Sequence, residues 1–427
     1  MMNFRKDALA QASSYILVTT IITAVLGFAY WVIAARAYPA SQVGAAAVSV
    51  SVMTLASLLA GLGTTTAPVQ RIPARNPGRE WSLTVTVGLA LAGTAGLVAG
   101  ALSWIVVIEI FPEQSLRTPL YALVLVGGVM LNSCIMALDS IWVVERATQV
   151  RLMSATLLGA SKIPLLLLPA LQSRGAVGIQ AGWTVGLLAA VVLSLSLLVR
   201  HRRYVLSLDG FWSEVREMRR SLTGNYVVDV GTNIPTYAVP VIVGAVVSAS
   251  NAAYFYSAWR VGTLFFVASS AVTTALFAEG SRVPDQAIRK ARGAILVLVP
   301  LLFVATGVLA LAGPTILSVF GAQYREYGYL LLVLVIGATV PDALTAVFRT
   351  VLRLRRRYGY AAAFMWGMAV LQIALTWELL HVWGIAGAGA AWLFAESVGV
   401  AVAAVDSLWT GYQRGRPGRM QSNQEGG

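Results

Sequence analysis

Eight ionisable side chains stand inside stretches otherwise built of Ala, Val, Leu and Gly: Arg36, Asp139, Lys162, Asp229, Arg260, Asp342, Arg349 and Glu396. A Lys or Arg at the centre of a bilayer costs roughly 2.5–3.5 kcal/mol on insertion scales, so these groups should face a cavity or a partner, not lipid. The chemistry open to the cations is binding without bond making. A guanidinium in a dry cavity suits phosphate, because its planar fork pairs two oxygens at once. Lys162, in the middle of an apolar run, and Arg260, about two turns into another, are the leading candidates for anion binding. Arg36 and Arg349, nearer the ends of their runs, either join them or snorkel to the interface. Tyr256 and Trp259, beside Arg260, could contact a sugar. Among the carboxylates, Asp229 and Asp342 lie deepest. They are candidates for ion coupling, or for pairing with Arg260 or Lys162.

Other chemistries lack their residues. Cys134 is the only cysteine, which excludes an intrachain disulfide and a thiolate metal cluster. His201 and His381 stand far apart without metal-ligand spacing, and no GxxxxGK[ST] loop cradles a nucleotide. No metal or cofactor is expected, and no enzymatic activity.

The elements that must position these residues follow from composition. Of 427 residues, 58% are hydrophobic and 11% charged, against roughly 25% charged in a soluble domain. A bilayer is therefore the solvent. About twelve apolar runs are long enough to cross a hydrocarbon core of roughly 30 Å. They fall near 14–36, 42–64, 83–111, 119–143, 152–171 and 176–199, then 223–247, 253–278, 293–312, 328–350, 358–380 and 386–409. Arg5 and Lys6 precede a run too long for a cleavable signal peptide, which reads as an uncleaved first helix. Trp31, Trp104, Trp142, Trp183, Trp383 and Trp409 stand toward the ends of runs and read as interfacial anchors.

The net charge of +13 speaks to topology, not to nucleic acid. With twelve spans and alternating sides, most of the basic residues fall in segments on one side. These include Arg71, Arg75 and Arg79, the run Arg200 to Arg220, and Arg414 to Arg419. The positive-inside rule makes that side, and both termini, cytoplasmic. The widest interruption halves the chain, and within it Phe211, Trp212, Val215 and Met218 recur at helical spacing, as in a helix lying on the inner leaflet. The expected organisation is a six-helix lobe over 1–203, an amphipathic cytoplasmic linker over 204–220, a second six-helix lobe over 221–410, and a disordered cytoplasmic tail over 411–427. Gly175 to Trp183 (GAVGIQAGW) and Gly384 to Trp392 (GIAGAGAAW) match at an offset of 209 residues, in corresponding runs of the two halves. This implies a parallel duplication with its pseudo-twofold axis along the membrane normal. The fold class is all-α and polytopic.

Phe28 to Ala47 (FAYWVIAARAYPASQVGAAA), Ala252 to Gly262 (AAYFYSAWRVG) and Phe320 to Tyr327 (FGAQYREY) resemble hairpin elements of the oligosaccharide flippases of the multidrug/oligosaccharidyl-lipid/polysaccharide exporter superfamily. The resemblance implies an alternating-access flippase of a bacterial cytoplasmic membrane. It would move polyprenyl-diphosphate-linked glycan repeat units between leaflets for cell-surface polysaccharide synthesis. Its partners would be that lipid-linked glycan, membrane lipids, a polysaccharide polymerase and glycosyltransferases. The alternative within the superfamily is a cation-coupled multidrug antiporter. Those resemble this chain in span number but depend on an acidic residue in the first helix, and the first two spans here hold none. A membrane-bound polymerase or acyltransferase would need a base or nucleophile at the membrane face, and no such constellation is present.

Overall fold

The computed structural model describes residues 2–61, 64, 71–76, 78–110, 114–221, 223–264, 266, 287–355 and 357–414. Among the described residues the chain is helical throughout, with no strand. The helices are α1 (Met2–Ala37), α2 (Ala40–Ala60), α3 (Arg79–Ile110), α4 (Pro119–Val144), α5 (Thr148–Leu165) and α6 (Ala176–Arg202). Next come α7 (Phe211–Ser221), α8 (Thr223–Val246), α9 (Ala249–Thr263), α10 (Ala287–Ser318), α11 (Ala322–Gly337), α12 (Thr339–Leu354), α13 (Tyr358–Trp383) and α14 (Ile385–Arg414).

Nine helical stretches among the described residues are long and apolar enough to cross a bilayer. Their outward side chains are apolar: Phe303 and Leu311 of α10 and Val98 of α3 are all largely exposed, as suits hydrocarbon around them. Differences from the expected runs have local causes. The fifth run divides, because Pro164 and Pro169 interrupt the amide ladder and leave α5 followed by a single turn over Pro169–Gln172. The tenth run is two helices meeting at Ala338, close to Pro341, which has no N–H to donate. The eighth run is helical as α9, and most of its second half lies outside the described residues. Side-chain caps fix two of the starts. Thr118 accepts from the Tyr121 N–H ahead of α4, and Ser248 accepts from the Asn251 N–H ahead of α9, both at 3.3 Å.

The two halves pack by one scheme. In the first, α1 packs on α5, α5 on α6, α4 on α3 and α6, and α2 on α4. In the second, α8 packs on α13, α13 on α14, α11 on α10 and α14, and α9 on α11. The repeat seen in sequence carries the same backbone singularity. Gly175 (φ 54°, ψ −126°) opens α6 and Gly384 (φ 56°, ψ −143°) opens α14, a conformation that only glycine adopts readily. Three residues on, a Cβ at Gly178 would stand 1.9 Å from the Leu171 carbonyl oxygen, and one at Gly387 would stand 2.1 Å from that of Leu379.

The halves join through α2, which packs on α8 and α9. Gly44 permits this approach, since a Cβ there would lie 1.7 Å from the Ala249 carbonyl oxygen. At the same end of the bundle, Arg36 donates from Nε to the Val319 carbonyl (2.8 Å) and from Nη2 to the Ser318 carbonyl (3.0 Å), so the end of α1 caps the end of α10 in the other half. Phe28 and Phe320 stack edge to face beside it at 5.2 Å.

At the opposite end the apolar stripe of α7, Phe211, Val215 and Met218, packs on Leu83, Val87 and Leu91 of α3. The reason is electrostatic. Glu214, on the same helix, is buried between Arg71 and Arg75, accepts from the Thr84 hydroxyl at 2.8 Å, and draws α7 onto the first half. Trp212 alone of the aromatic pair stays outside, 79% exposed.

Candidate functional site

Where the halves meet, aromatic residues of α1, α6 and α9 form a continuous cluster around two cations. Lys162 enters from α5, is only 2% exposed, and places its Nζ 3.3 Å from the centre of the Trp183 ring and 4.7 Å from that of Tyr30. The Tyr30 hydroxyl is fixed by donating to the Ile179 carbonyl at 2.7 Å, so the ring wall is held by its own hydrogen bond. Trp31 reaches across to Tyr256 of α9, with ring centres 4.7 Å apart. Tyr256 in turn accepts from Arg260 Nε at 3.1 Å.

Arg260 lies close enough to Lys162 for the two charges to repel. Neither makes an ion pair with a carboxylate among the described residues. Cation–π contact supports a desolvated ammonium by about 2 kcal/mol or more, less than its transfer costs. Arg260 is exposed, whereas Ala252 through Trp259 before it on α9 are buried.

A second polar centre lies within the second half. A cavity of about 380 Å³ opens among α8, α12, α13 and α14. Glu396 projects into it from α14, 5% exposed, and accepts from the Thr345 hydroxyl (2.6 Å) and the Gln372 amide (2.9 Å). Arg349 lines the same cavity, 3.7 Å from Asp342 and near enough to act on Glu396. Trp392 forms part of the wall and meets Trp259 edge to face at 4.8 Å, which links this cavity to the Arg260 site.

Of the sequence-predicted residues, Lys162, Arg260 and Tyr256 thus gather at the aromatic cluster where the halves meet, Trp259 packs against Trp392, and Arg349 and Asp342 share the second cavity. Arg36 sits at the end of the bundle as a cap on α10, away from both. The Asp229 side chain lies outside the described residues, and Asp139 pairs with Arg151 at 3.3 Å. Two tryptophans read as interfacial anchors, Trp31 and Trp183, instead build the cation site, and Trp142 is a core residue donating to Ser194 at 2.6 Å. Position along a run cannot separate an interfacial ring from one turned inward. Glu396 was visible as an acid within a run, but its Thr345 and Gln372 partners, 51 and 24 residues away, were not.

The helix order and packing are similar to those of solved transporters of the MOP superfamily. An inward-facing multidrug resistance MATE family transporter of that superfamily aligns over 94% of this chain and 98% of its own, with a TM-score of 0.74 at 17% identity. The lipid II flippase MurJ, in an inward closed conformation, aligns over 92% of this chain and 87% of its own, with a TM-score of 0.75 at 14% identity. An outward-facing MATE family transporter aligns over 96% and 97% with a lower TM-score of 0.63 at 17% identity. No protein-family model matches the chain, and no curated protein matches it in sequence.

Proposed function

We propose that this chain is a flippase that moves polyprenyl-diphosphate-linked oligosaccharide units across a bacterial cytoplasmic membrane, with Arg260 and Lys162 as the diphosphate site. The observation that carries the reading is two neighbouring cations where the halves meet, Lys162 buried and Arg260 exposed, without a carboxylate partner among the described residues. A drug cation would be repelled there, whereas a diphosphate satisfies both groups. The MATE and MurJ likenesses support a transporter, and a flippase of lipid II is itself a carrier of a lipid-linked saccharide.

In this reading the lobes 1–203 and 221–410 rock about the α2 seam, with 204–220 as a cytoplasmic linker, 411–427 as a cytoplasmic tail and both termini inside. The end held by Arg36 faces outward. A polymerase and glycosyltransferases would supply and consume the glycan at the two faces. The cation-coupled antiporter remains the second reading, because Asp342 and Glu396 place carboxylates in the second cavity where an ion could exchange.

Flipping is measured in proteoliposomes as lectin access to lipid-linked sugar on the far leaflet. Arg260→Ala should nearly abolish it with the protein still inserted. Arg260→Lys, which keeps charge but loses the fork, should slow it measurably. Wild-type flipping by Arg260→Ala, together with arrest by Asp342→Asn, would transfer the weight to the antiporter. Sidedness is checked by single-cysteine labelling on a Cys134→Ser background. Reagent added outside should modify a cysteine at Gln323 and spare one at Ser422.

A further inference from the structure

We infer that the second cavity is a glycosyl subsite, taking a neutral sugar ring of the cargo while its diphosphate rests at Arg260. The inference rests on the flippase reading and adds to it where the sugar is bound. At about 380 Å³ the cavity lies toward the small end of ligand sites, which run from roughly 300 to 1,000 Å³, and suits a short saccharide but not a long chain. Its wall mixes groups that recognise sugars elsewhere by simple chemistry. Thr232, Asn233 and Gln372 offer hydroxyl and amide groups, Glu396 a carboxylate, and Phe266 with Trp392 a pair of parallel rings 5.9 Å apart.

One group favours a hydroxyl-bearing ligand over a bare ion. The indole N–H of Trp392, in a residue 5% exposed, has no hydrogen-bond partner among the described residues. A buried donor left unpaired costs about 1–3 kcal/mol, and a metal cation or a proton on Glu396 cannot satisfy it. A hydroxyl oxygen can, while its own hydrogen goes to Glu396 or to a neighbouring amide oxygen. The subsite also adjoins the Arg260 helix, since Trp392 touches Trp259, the residue next to Arg260.

The test uses the full chain in nanodiscs, titrated with bare undecaprenyl diphosphate and with the same lipid carrying glucose, galactose, N-acetylglucosamine or N-acetylgalactosamine. Free methyl glycosides of those sugars serve as a separate probe. For at least one sugar, the wild-type protein should bind the glycosylated lipid about tenfold more tightly than the bare lipid, the yield of one or two neutral hydrogen bonds. Trp392→Phe keeps the ring and removes the donor. It should erase most of that increment while leaving the affinity for bare lipid within about twofold. Arg260→Ala should weaken bare and glycosylated lipid alike. Equal wild-type affinity for bare and every glycosylated lipid overturns the subsite, and so does a Trp392→Phe effect of the same size on both. Sodium or proton binding lost in Glu396→Gln, with no glycoside effect, overturns it as well. Failure of the wild type to bind bare lipid while a methyl glycoside still binds leaves the subsite standing and removes the diphosphate assignment instead.

Discussion

Positions 209 residues apart occupy matching places in the two halves, yet the halves have opposite polarity. Trp183 and Trp392 correspond, and each forms the wall of its own polar centre. Behind Trp183 stands Lys162, and the matching stretch of α13, around Val370 and Leu371, is apolar. Near Trp392 stands Glu396, whose counterpart at the same offset along its own helix is Leu187, 1% exposed. One scaffold thus holds a caged cation in one half and a hydrogen-bonded carboxylate in the other, each with an apolar counterpart across the pseudo-axis. The lesson is that helix packing was kept by the small residues at the crossings, while charge was free to diverge at the cavity face.

The comparison breaks most visibly at Lys162. Lys162→Leu, which copies the other half, should cut flipping by about a hundredfold, the scale of losing one charged partner from a buried anion. It should leave thermal stability in detergent unchanged or raised, because no carboxylate loses a partner. Glu396→Leu should do the reverse in stability, since it leaves the Gln372 amide without its acceptor. A melting curve that falls for Lys162→Leu would mean that the cation is structural.

Gly178→Ala and Gly387→Ala test the scaffold itself. Each Cβ would press on a carbonyl oxygen, and each should cost about 1–3 kcal/mol by overpacking, seen as a matched drop in melting temperature. A loss in one lobe alone would break the equivalence of the two crossings. Gly175→Ala and Gly384→Ala sharpen it further. Both meet the same backbone penalty of about 1–3 kcal/mol, but only at Gly175 would the methyl also strike Gln42, 2.4 Å from its Oε1, while nothing lies within 4 Å at Gly384. Gly175→Ala should therefore be the more damaging of the two.

The smallest effect concerns α7, which has no counterpart in the second half. The hydrogen bond and charge of Arg71 hold the Glu217 carboxyl below the ordinary glutamate range. A carboxyl depressed in this way contributes fully above its unfolded value, near 4.5, and loses that contribution as pH falls below it. Hydrogen exchange of 211–221 should accordingly stay level from neutral pH down to about pH 4.5 and rise as the pH falls below that, after correction for the intrinsic rate. Glu217→Gln should flatten that rise.

Span by span, much of this architecture is legible in the chain. Long apolar runs locate the helices because backbone satisfaction in lipid leaves few alternatives, and the two Gly-led openings disclose the duplication. The cations of the cleft are legible for the same reason, because a charge in an apolar run must turn inward. What resists reading is the environment of each charge. Tyr30 stands 132 residues from Lys162, Thr345 stands 51 from Glu396, and α7 meets the segment ahead of α3 through ion pairs with Arg71 and Arg75 more than a hundred residues earlier. No periodicity encodes such meetings, which depend on how the helices are arranged around the seam.

That seam has a mechanical consequence. Where Gly44 meets Ala249 and Ala253, the facing surfaces are backbone against backbone. At that point α2 presents no side chain for α9 to turn against. The contact is a bearing more than a clasp, and the resistance to motion is left to the Arg36 cap at the rim, whose two bonds can let go one at a time.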